Sequence, residues 1–354
     1  MLGAGPAGCA AALSLLPTER TDRVATPSVV VLERSAEPPG DRIGECLPAA
    51  AARVLVSLGV RDDLAADGHE PCFAQTSVWG TSEPAIQDSI GNLDGPAWLL
   101  DRARFDESLR SAARRRGARL LTSARVTDLR RSDDGRWIVT STAGTVRATA
   151  VVDARGRPAR VEDRLLCAWT RLTRTRPGPA QSLIASDPHG WWYTAPVPDG
   201  HRVVALFTDA GLARERDVAS ELVRLVYAAE PLAVELSDSD PASGEPVRVC
   251  RAGGVAPDAL ADPDLVSVGD ASMTFDPIAG QGLFHSLCTG MAAGPAVAGL
   301  LRGDSAPLAA YRAELDRVWH TYRERVDSAY AAERRWPESP FWRRRQQPPG
   351  GTTA

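Results

Sequence analysis

Apolar positions along the chain change their spacing several times, and each change predicts an element. Ala7 to Leu16 is apolar on nearly every side and reads as a buried helix. Ser28-Val29-Val30-Val31-Leu32-Glu33 is a continuous apolar run ending in an acid, the pattern of a parallel strand covered on both faces. Arg104 to Arg116 has helical periodicity, and Ala118–Thr122 and Arg136–Ser141 follow as strands. "TVRATAVVDARGR" (145–157) predicts another apolar strand, running into Asp153 and a turn at Gly156. In the middle, "QSLIASDPHGWWYTAPVPDGHRVVALFTDA" (181–210) alternates apolar with polar positions and turns at Pro198-Asp199-Gly200, an antiparallel hairpin. "LVSVGDASMTFDPIAGQGLFHSLCTGMAAGPAVAGLL" (265–301) reads as strand, glycine-rich loop and long apolar helix. Leu308 to Arg335 is helical, and the proline, glycine and arginine residues after Trp342 predict a mobile tail.

Two glycine-rich loops punctuate this pattern. Gly3-x-Gly5-x-x-Gly8 opens the first helix, and Glu33 closes the following strand 25 residues beyond Gly8. That order of loop, helix, strand and terminal acid is the fingerprint of a dinucleotide site, with glycines for the turn and the close approach of a pyrophosphate, and the acid for a ribose. Only Met1 and Leu2 precede the loop, where a strand of about five or six residues is the norm. The expectation is that the natural chain begins several residues upstream with an apolar strand. A secretory leader is the alternative for this stretch, but the first basic residue, Arg20, falls on the wrong side of the apolar run. The second loop follows Leu265–Val268: Asp270 sits at the carboxyl edge of that strand, and Asp276-Pro277-Ile278-Ala279-Gly280-Gln281-Gly282 begins a helix whose first turn is nearly bare. Exposed backbone N–H groups there suit a pyrophosphate or the electron-rich edge of a reduced ring. The fingerprint occurs once, which implies one dinucleotide held at both ends.

Composition narrows the chemistry. With 354 residues the chain buries a large core as one big or two interleaved domains, and a net charge of -4 gives no reason to expect nucleic acid. No apolar run reaches the roughly 18 residues of a membrane span. Six cysteines (9, 46, 72, 167, 250 and 288) show no C-x-x-C pairing and no companion histidine spacing, so neither a metal site nor a disulfide framework is expected, and a reducing cytoplasm fits. All 41 basic residues are arginine. Mechanisms that need a lysine ammonium are thereby excluded.

The fingerprint at 3–8, Glu33, "LDRARFDESL" (100–109) and "GDASMTFDPIAGQG" (269–282) together resemble FAD-dependent monooxygenases of the p-hydroxybenzoate hydroxylase fold. More narrowly, "RIGECLP" (42–48), "GWWYTAPVPDG" (190–200), "FDPIAGQGL" (275–283) and "RRWPESPFWRRR" (334–345) resemble the branch of flavin-dependent halogenases and of the maturases that hydroxylate tryptophan in quinone-cofactor oxidases. The resemblance implies an α/β fold in which a Rossmann-like FAD-binding domain (1–72, 101–160 and 251–305) is interleaved with an antiparallel β-sheet substrate domain (73–100 and 161–250). A C-terminal helical segment (306–345) and a disordered tail (346–354) follow. It implies FAD as cofactor, with Gly3, Gly5 and Gly8 at the pyrophosphate, Glu33 at the ribose, and Arg42 and Arg102 as phosphate or flavin contacts. Asp270 would bind the ribityl chain or pyrophosphate, and Pro277, Gly280, Gln281 and Gly282 would line the isoalloxazine. The Asp-Gly motif of the fold is altered to Asp153-Ala154-Arg155-Gly156, and without lysine the halogenase route to an active halogen is closed.

The chemistry so implied is attack of an electron-rich ring on a flavin C4a-hydroperoxide formed with molecular oxygen, in a site kept dry. The electron donor is NAD(P)H or a separate flavin reductase. The substrate is an aromatic small molecule or, as the favoured case, a tryptophan side chain in a peptide or protein. Pro277, Gln281, His285 and Glu45 are the candidate catalytic residues; a histidine at 285 equally suits a packed core and Glu45 a helix cap. Trp191, Trp192 and Tyr193 are candidate substrate contacts, and alternation on a strand puts Trp192 on the face opposite to Trp191 and Tyr193. A same-fold dehydrogenase or reductase, and a flavin- or partner-binding subunit without turnover, are the alternatives.

Overall fold

The computed structural model describes residues 1–17, 27–40, 42–60, 64–157, 165–178, 180–257 and 265–346. A parallel layer organises the first half of the fold. Val30–Leu32 pairs in parallel with Arg119–Leu121, and Val151–Asp153 with Leu265–Ser267. Leu2 joins the two pairs through parallel bridges to Leu32 and Asp153. Four backbone hydrogen bonds fix it there: Leu2 N to Val152 O, Ala154 N to Leu2 O, Gly3 N to Leu32 O and Leu32 N to Met1 O. The ladder expected of a longer central strand is thus made, within the described residues, by one buried leucine with its neighbours.

Helices cover one face of this layer. Pro6–Leu15, Ala51–Ser57, Arg102–Arg115 and Gly282–Leu301 contribute Leu13, Leu55, Leu109 and Leu287 to a core that also takes in Val31. The other face, with Leu2, Leu32 and Val151, is closed by Trp137 and Val139 of an antiparallel meander (Val126–Arg131, Trp137–Ser141, Gly144–Ala148). Gly282–Leu301 corrects one expectation. Its 20 residues, at a mean hydropathy of 1.2, make a helix long and apolar enough to cross a membrane. His285 and Ser286 interrupt the apolar run in the sequence, and Leu287, Gly290, Ala293, Gly294, Ala296, Val297 and Gly299 of this helix are packed inside. A Cβ on Gly290 would lie 2.4 Å from Ala7 O, and one on Gly294 2.2 Å from Ser14 Oγ, so the two helices touch backbone to backbone.

A seven-stranded sheet dominates the second half, in the order Arg248–Arg251, Leu165–Thr173, His201–Asp209, Gly190–Val197, Gln181–Asp187, Ala74–Val78, Ala85–Asp88. All neighbours are antiparallel except Gln181–Asp187 with Ala74–Val78. The predicted turn at Pro198-Asp199-Gly200 is present, with Val197 opposite His201, and a second turn at 188–189 makes the hairpin a three-stranded meander. Both faces of the central strands are covered. Trp169, Trp191 and Phe207 face the long helix Ala306–Ala332, and Trp192, Val204 and Leu206 face the helix Val218–Ala228. A small sheet, Cys46–Leu47, Ala97–Leu99 and Glu70–Cys72, lies between the two halves, its Leu99 and Cys72 against Ala195.

The C-terminus is more ordered than its composition suggests. Pro340–Gln346 is a helix whose Phe341 and Trp342 are fully buried. Arg344 and Arg345 pair with Asp209 at 2.7 and 2.9 Å, and Gln346, assigned above to the tail, donates to Tyr330 O. Two hydrophobic anchors and a shared carboxylate outweigh the arginine run. Residues 347–354 of the expected tail lie outside the described residues.

Candidate functional site

The three fingerprint glycines have divided tasks. Gly3 has φ +104°, and a Cβ there would stand 2.4 Å from Ala154 O; on Gly8 it would stand 2.1 Å from Gly3 O. Those two permit the turn and its packing. Gly5 is different: a Cβ there would meet nothing within 4 Å. It is the N-cap of Pro6–Leu15 without a side-chain cap, so the amides of the first turn face open space, an arrangement that accepts an anion. Glu33 lies beside this loop, buried. Its Oε2 accepts from Ala4 N at 2.7 Å and stands 3.7 Å from Arg110 Nη2, while Oε1 accepts from Ser35 N at 2.9 Å. The carboxylate thus already holds the loop in shape.

The second loop meets the first. Gly269, with φ +58°, opens the turn carrying Asp270, and a Cβ on it would be 2.7 Å from Ala7 Cβ. Asp270 retains 36% of its side-chain exposure, with Arg157 Nε 3.9 Å away; burial raises its carboxyl pKa, and Arg157 and Arg102 oppose the rise. Pro277–Ala279 forms a single turn, and Gly280 follows at φ +63°. Neither Gly280 nor Gly282 would place a Cβ within 4 Å of anything. Two helix starts free of side chains, with room in front of each, are where the sequence expects the two ends of a flavin dinucleotide. The residues present fit that group.

Arginines and carboxylates line the approach. Arg102 donates to Gly44 O at 2.9 Å and to Asp106 Oδ1 at 3.3 Å, and Arg42 reaches Asp106 Oδ2 at 3.2 Å. Asp106 falls inside the segment LDRARFDESL, one helical turn after Arg102, but neither it nor Arg157 is among the site residues expected from the sequence. Glu45, next to Gly44, is only 3% exposed, and neither carboxylate oxygen has a hydrogen-bond partner at normal geometry. Burial pushes its pKa up to about 7; the nearby amides of Glu45 and Gly44, with Arg102 and Arg171, offset part of the cost. The hydroxyl of Tyr193 is also buried and unpartnered, its pKa raised by burial and by the charge of Glu45.

Other expected residues stand elsewhere. Trp191 and Trp192 are each 1% exposed, on opposite faces of their strand as alternation requires, and both are packed in cores. Neither meets a surface a substrate can reach. His285 lies behind the second loop, its ring 4.7 Å from Phe275 and Nε2 3.4 Å from Ser272 Oγ. Burial lowers its pKa to about 4, so it is a neutral, weakly basic group near pH 7. Phe275, Ile278, Gln281, His285, Tyr322 and Val326 help line a cavity of about 1010 Å³ between Gly282–Leu301 and Ala306–Ala332. Among the described residues, no group of three His, Cys, Asp or Glu is arranged to hold a metal ion.

The chain is similar to known flavoproteins and to solved structures of the same fold. The chain is 28% identical over 367 residues to the putative FAD-dependent oxidoreductase LodB of Marinomonas mediterranea, covering 98% of this chain and 95% of that protein. Among solved structures, the peptidyl tryptophan dihydroxylase QhpG, essential for tryptophylquinone cofactor biogenesis, superposes with a TM-score of 0.78 at 26% identity, over 99% of this chain and 79% of that one. The myxobacterial chondrochloren halogenase CndH shares the fold, with a TM-score of 0.84 at 20% identity over 99% and 86% of the two chains. Residues 80–302, more than half of the chain, match the family described as DAO, FAD dependent oxidoreductase, and the chain belongs to that family.

Proposed function

We propose that the protein is an FAD-dependent monooxygenase that hydroxylates an electron-rich aromatic ring, with a tryptophan side chain in a peptide or protein as the favoured substrate. The observation that carries the reading is the pair of open glycine cradles, at Gly5 and at Gly280 and Gly282, whose strand-end loops touch at Gly269 and Ala7. Support for a peptidyl indole comes from the similarity to QhpG, whose activity is tryptophan dihydroxylation. In this reading residues 1–72, 101–160 and 251–305 bind FAD, and 73–100 with 161–250 hold the substrate. Gly3, Gly5 and Gly8 seat the pyrophosphate, Glu33 stands at the ribose, and Arg42, Arg102 and Asp270 contact the phosphates or ribityl chain. Pro277, Gly280, Gln281 and Gly282 face the ring. When bound and reduced, the flavin supplies the two-electron activation of dioxygen.

The chain's own residues have narrower tasks. Glu45, poised near neutrality in a dry pocket, accepts the proton that the ring loses when oxygen replaces hydrogen. Tyr193 offers its free hydroxyl to the substrate, and the apolar lining around it excludes water. One oxygen atom enters the ring and the other leaves as water, with two electrons from NAD(P)H directly or through a separate reductase. Tryptophan-containing peptides incubated with enzyme, FAD, reductant and oxygen should gain oxygen and no halogen, even with chloride or bromide present; mass spectrometry reads both. Reoxidation of reduced flavin by substrate without oxygen incorporation would favour a reductase, and a halogenated product would overturn the exclusion drawn from the missing lysine.

A further inference from the structure

The tryptophan run meets no ligand surface, yet Trp191 is not idle. It stacks on Phe207, with ring centroids 3.9 Å apart and planes inclined by 12°, and donates its indole N–H to Tyr330 Oη at 3.2 Å. Tyr330, in the last turn of Ala306–Ala332, donates its own proton to Asp276 Oδ2 at 2.8 Å. The other oxygen, Oδ1, accepts from Ile278 N at 3.0 Å and so caps the turn Pro277–Ala279. Tyr322, on the same helix, accepts from Asp276 N at 2.6 Å and stacks on Phe275 with centroids 4.4 Å apart. The side chains of Trp191, Phe207, Tyr330, Asp276, Tyr322 and Phe275 are all buried. The direction of the chain is fixed by chemistry: an indole nitrogen only donates, an ionised carboxylate only accepts, and the phenol between them does both.

Beyond Asp276 the loop is held by two short backbone turns, Ala279 N to Asp276 O and Gly280 N to Pro277 O, and by Ile278 and Ala279 against the core. Gly280 and Gly282 have no side chains, open space lies where a Cβ would be, and Gln281 makes no side-chain cap to the helix that follows. We propose that Trp191, Tyr322 and Tyr330 are positioning residues that set the Pro277–Gly282 loop through Asp276, so that Trp191 acts on the flavin from behind the loop and not on the substrate. This rests on the reading that the loop faces the flavin ring. It gives a role to Trp191, which the proposed chemistry leaves unused, and it couples the large sheet, the long helix Ala306–Ala332 and the cofactor loop in one buried network.

The test is FAD titration of purified apoprotein, followed by absorbance and circular dichroism of the bound flavin and its reduction potential. Tyr330→Phe keeps the ring and removes the hydroxyl. It should weaken FAD about tenfold, the value of a hydrogen bond to a charged group, and shift the flavin bands. Trp191→Phe should shift them the same way by less, and the double variant should be no worse than Tyr330→Phe alone, because both cut one chain. Tyr227→Phe removes a comparable hydroxyl bonded to Ser239 O at 3.0 Å, far from the loop, and should leave the flavin unchanged. Wild-type affinity and spectra in Tyr330→Phe, or strictly additive effects, would overturn the proposal. Should Tyr330→Phe not fold, Trp191→Phe decides by the same spectra. Gly282→Val tests the underlying reading separately: unaltered FAD affinity there would remove the loop from the flavin site whatever the tyrosine variants do.

Discussion

Two buried glutamates show how far a single residue's surroundings decide its chemistry. Glu333 is desolvated, which alone would raise its pKa, but bonds from Arg335, Ser186 and the Gly80 amide bring it down to about 2. Glu45 is also desolvated, has no side-chain hydrogen-bond partner, and stands at about 7. The sequence marks Glu45 as a candidate through its place in RIGECLP, but its isolation exists only in the fold. The sign of the pH effect follows. Below pH 4.5 Glu45 is protonated whether the chain is folded or not. As pH rises from 4.5 towards 7, the unfolded chain releases its proton and the folded one keeps it, so stability falls until both are ionised. Glu45→Gln removes this loss, and its advantage over wild type in FAD-free protein should grow across that window to on the order of 3 kcal/mol and then level off. Denaturant titrations at intervals of pH measure it; a difference independent of pH would mean that Glu45 has a partner in solution.

At the level of elements, the glycine loop makes separable predictions because its glycines do different things. Gly3→Ala forces a side chain into Ala154 O at φ +104° and should cost roughly 2–4 kcal/mol of stability, from overpacking and a left-handed backbone together. Gly5→Val adds a side chain to open space, so the apoprotein should melt close to wild type while FAD binding is lost. Equal FAD affinity in Gly5→Val and wild type would remove the pyrophosphate from that loop. Such loops are legible in sequence because their constraint is local: a turn and a close approach demand glycine at fixed spacing. The strands ending at Glu33 and Asp153 and the turn at Gly200 are legible for the same reason. Leu165–Thr173 escapes because a strand covered on both faces loses its alternation, whereas Val218–Ala228, with Val218, Leu222, Leu225 and Val226 at helical spacing, is marked in the sequence and is missing from the predicted elements. The Trp191–Tyr330–Asp276 chain escapes more completely, since its members are 139 and 54 residues apart. Only the folded chain makes them neighbours, whereas the sequence offers Trp191 as a candidate substrate contact.

For the molecule as a whole, the end of the described chain is a structural closure. Trp342 packs edge-on against Trp79 at 5.3 Å and lies 6.0 Å from Tyr330, and its indole donates to Asp187 O at 2.8 Å. It therefore touches the turn of the large sheet, the strand-end residue Trp79 and the long helix at once. Arg344 and Arg345 close the same junction on Asp209, whose carboxylate would otherwise be buried without charge compensation. Trp342→Ala should cost about 3–5 kcal/mol, as removal of a fully buried tryptophan does, and lower the melting temperature by roughly 5–10 °C. Because the vacated space adjoins Tyr330, the same variant should also loosen FAD, whereas the exposed Arg343→Ala should change neither property. Calorimetry and flavin titration on one set of samples separate the outcomes. A lower melting temperature with unchanged FAD affinity would make Trp342 a purely structural plug, uncoupled from the loop. Loss of both would make the C-terminal helix part of the machinery that holds the cofactor, reached from a segment whose prolines and arginines suggest a loose tail.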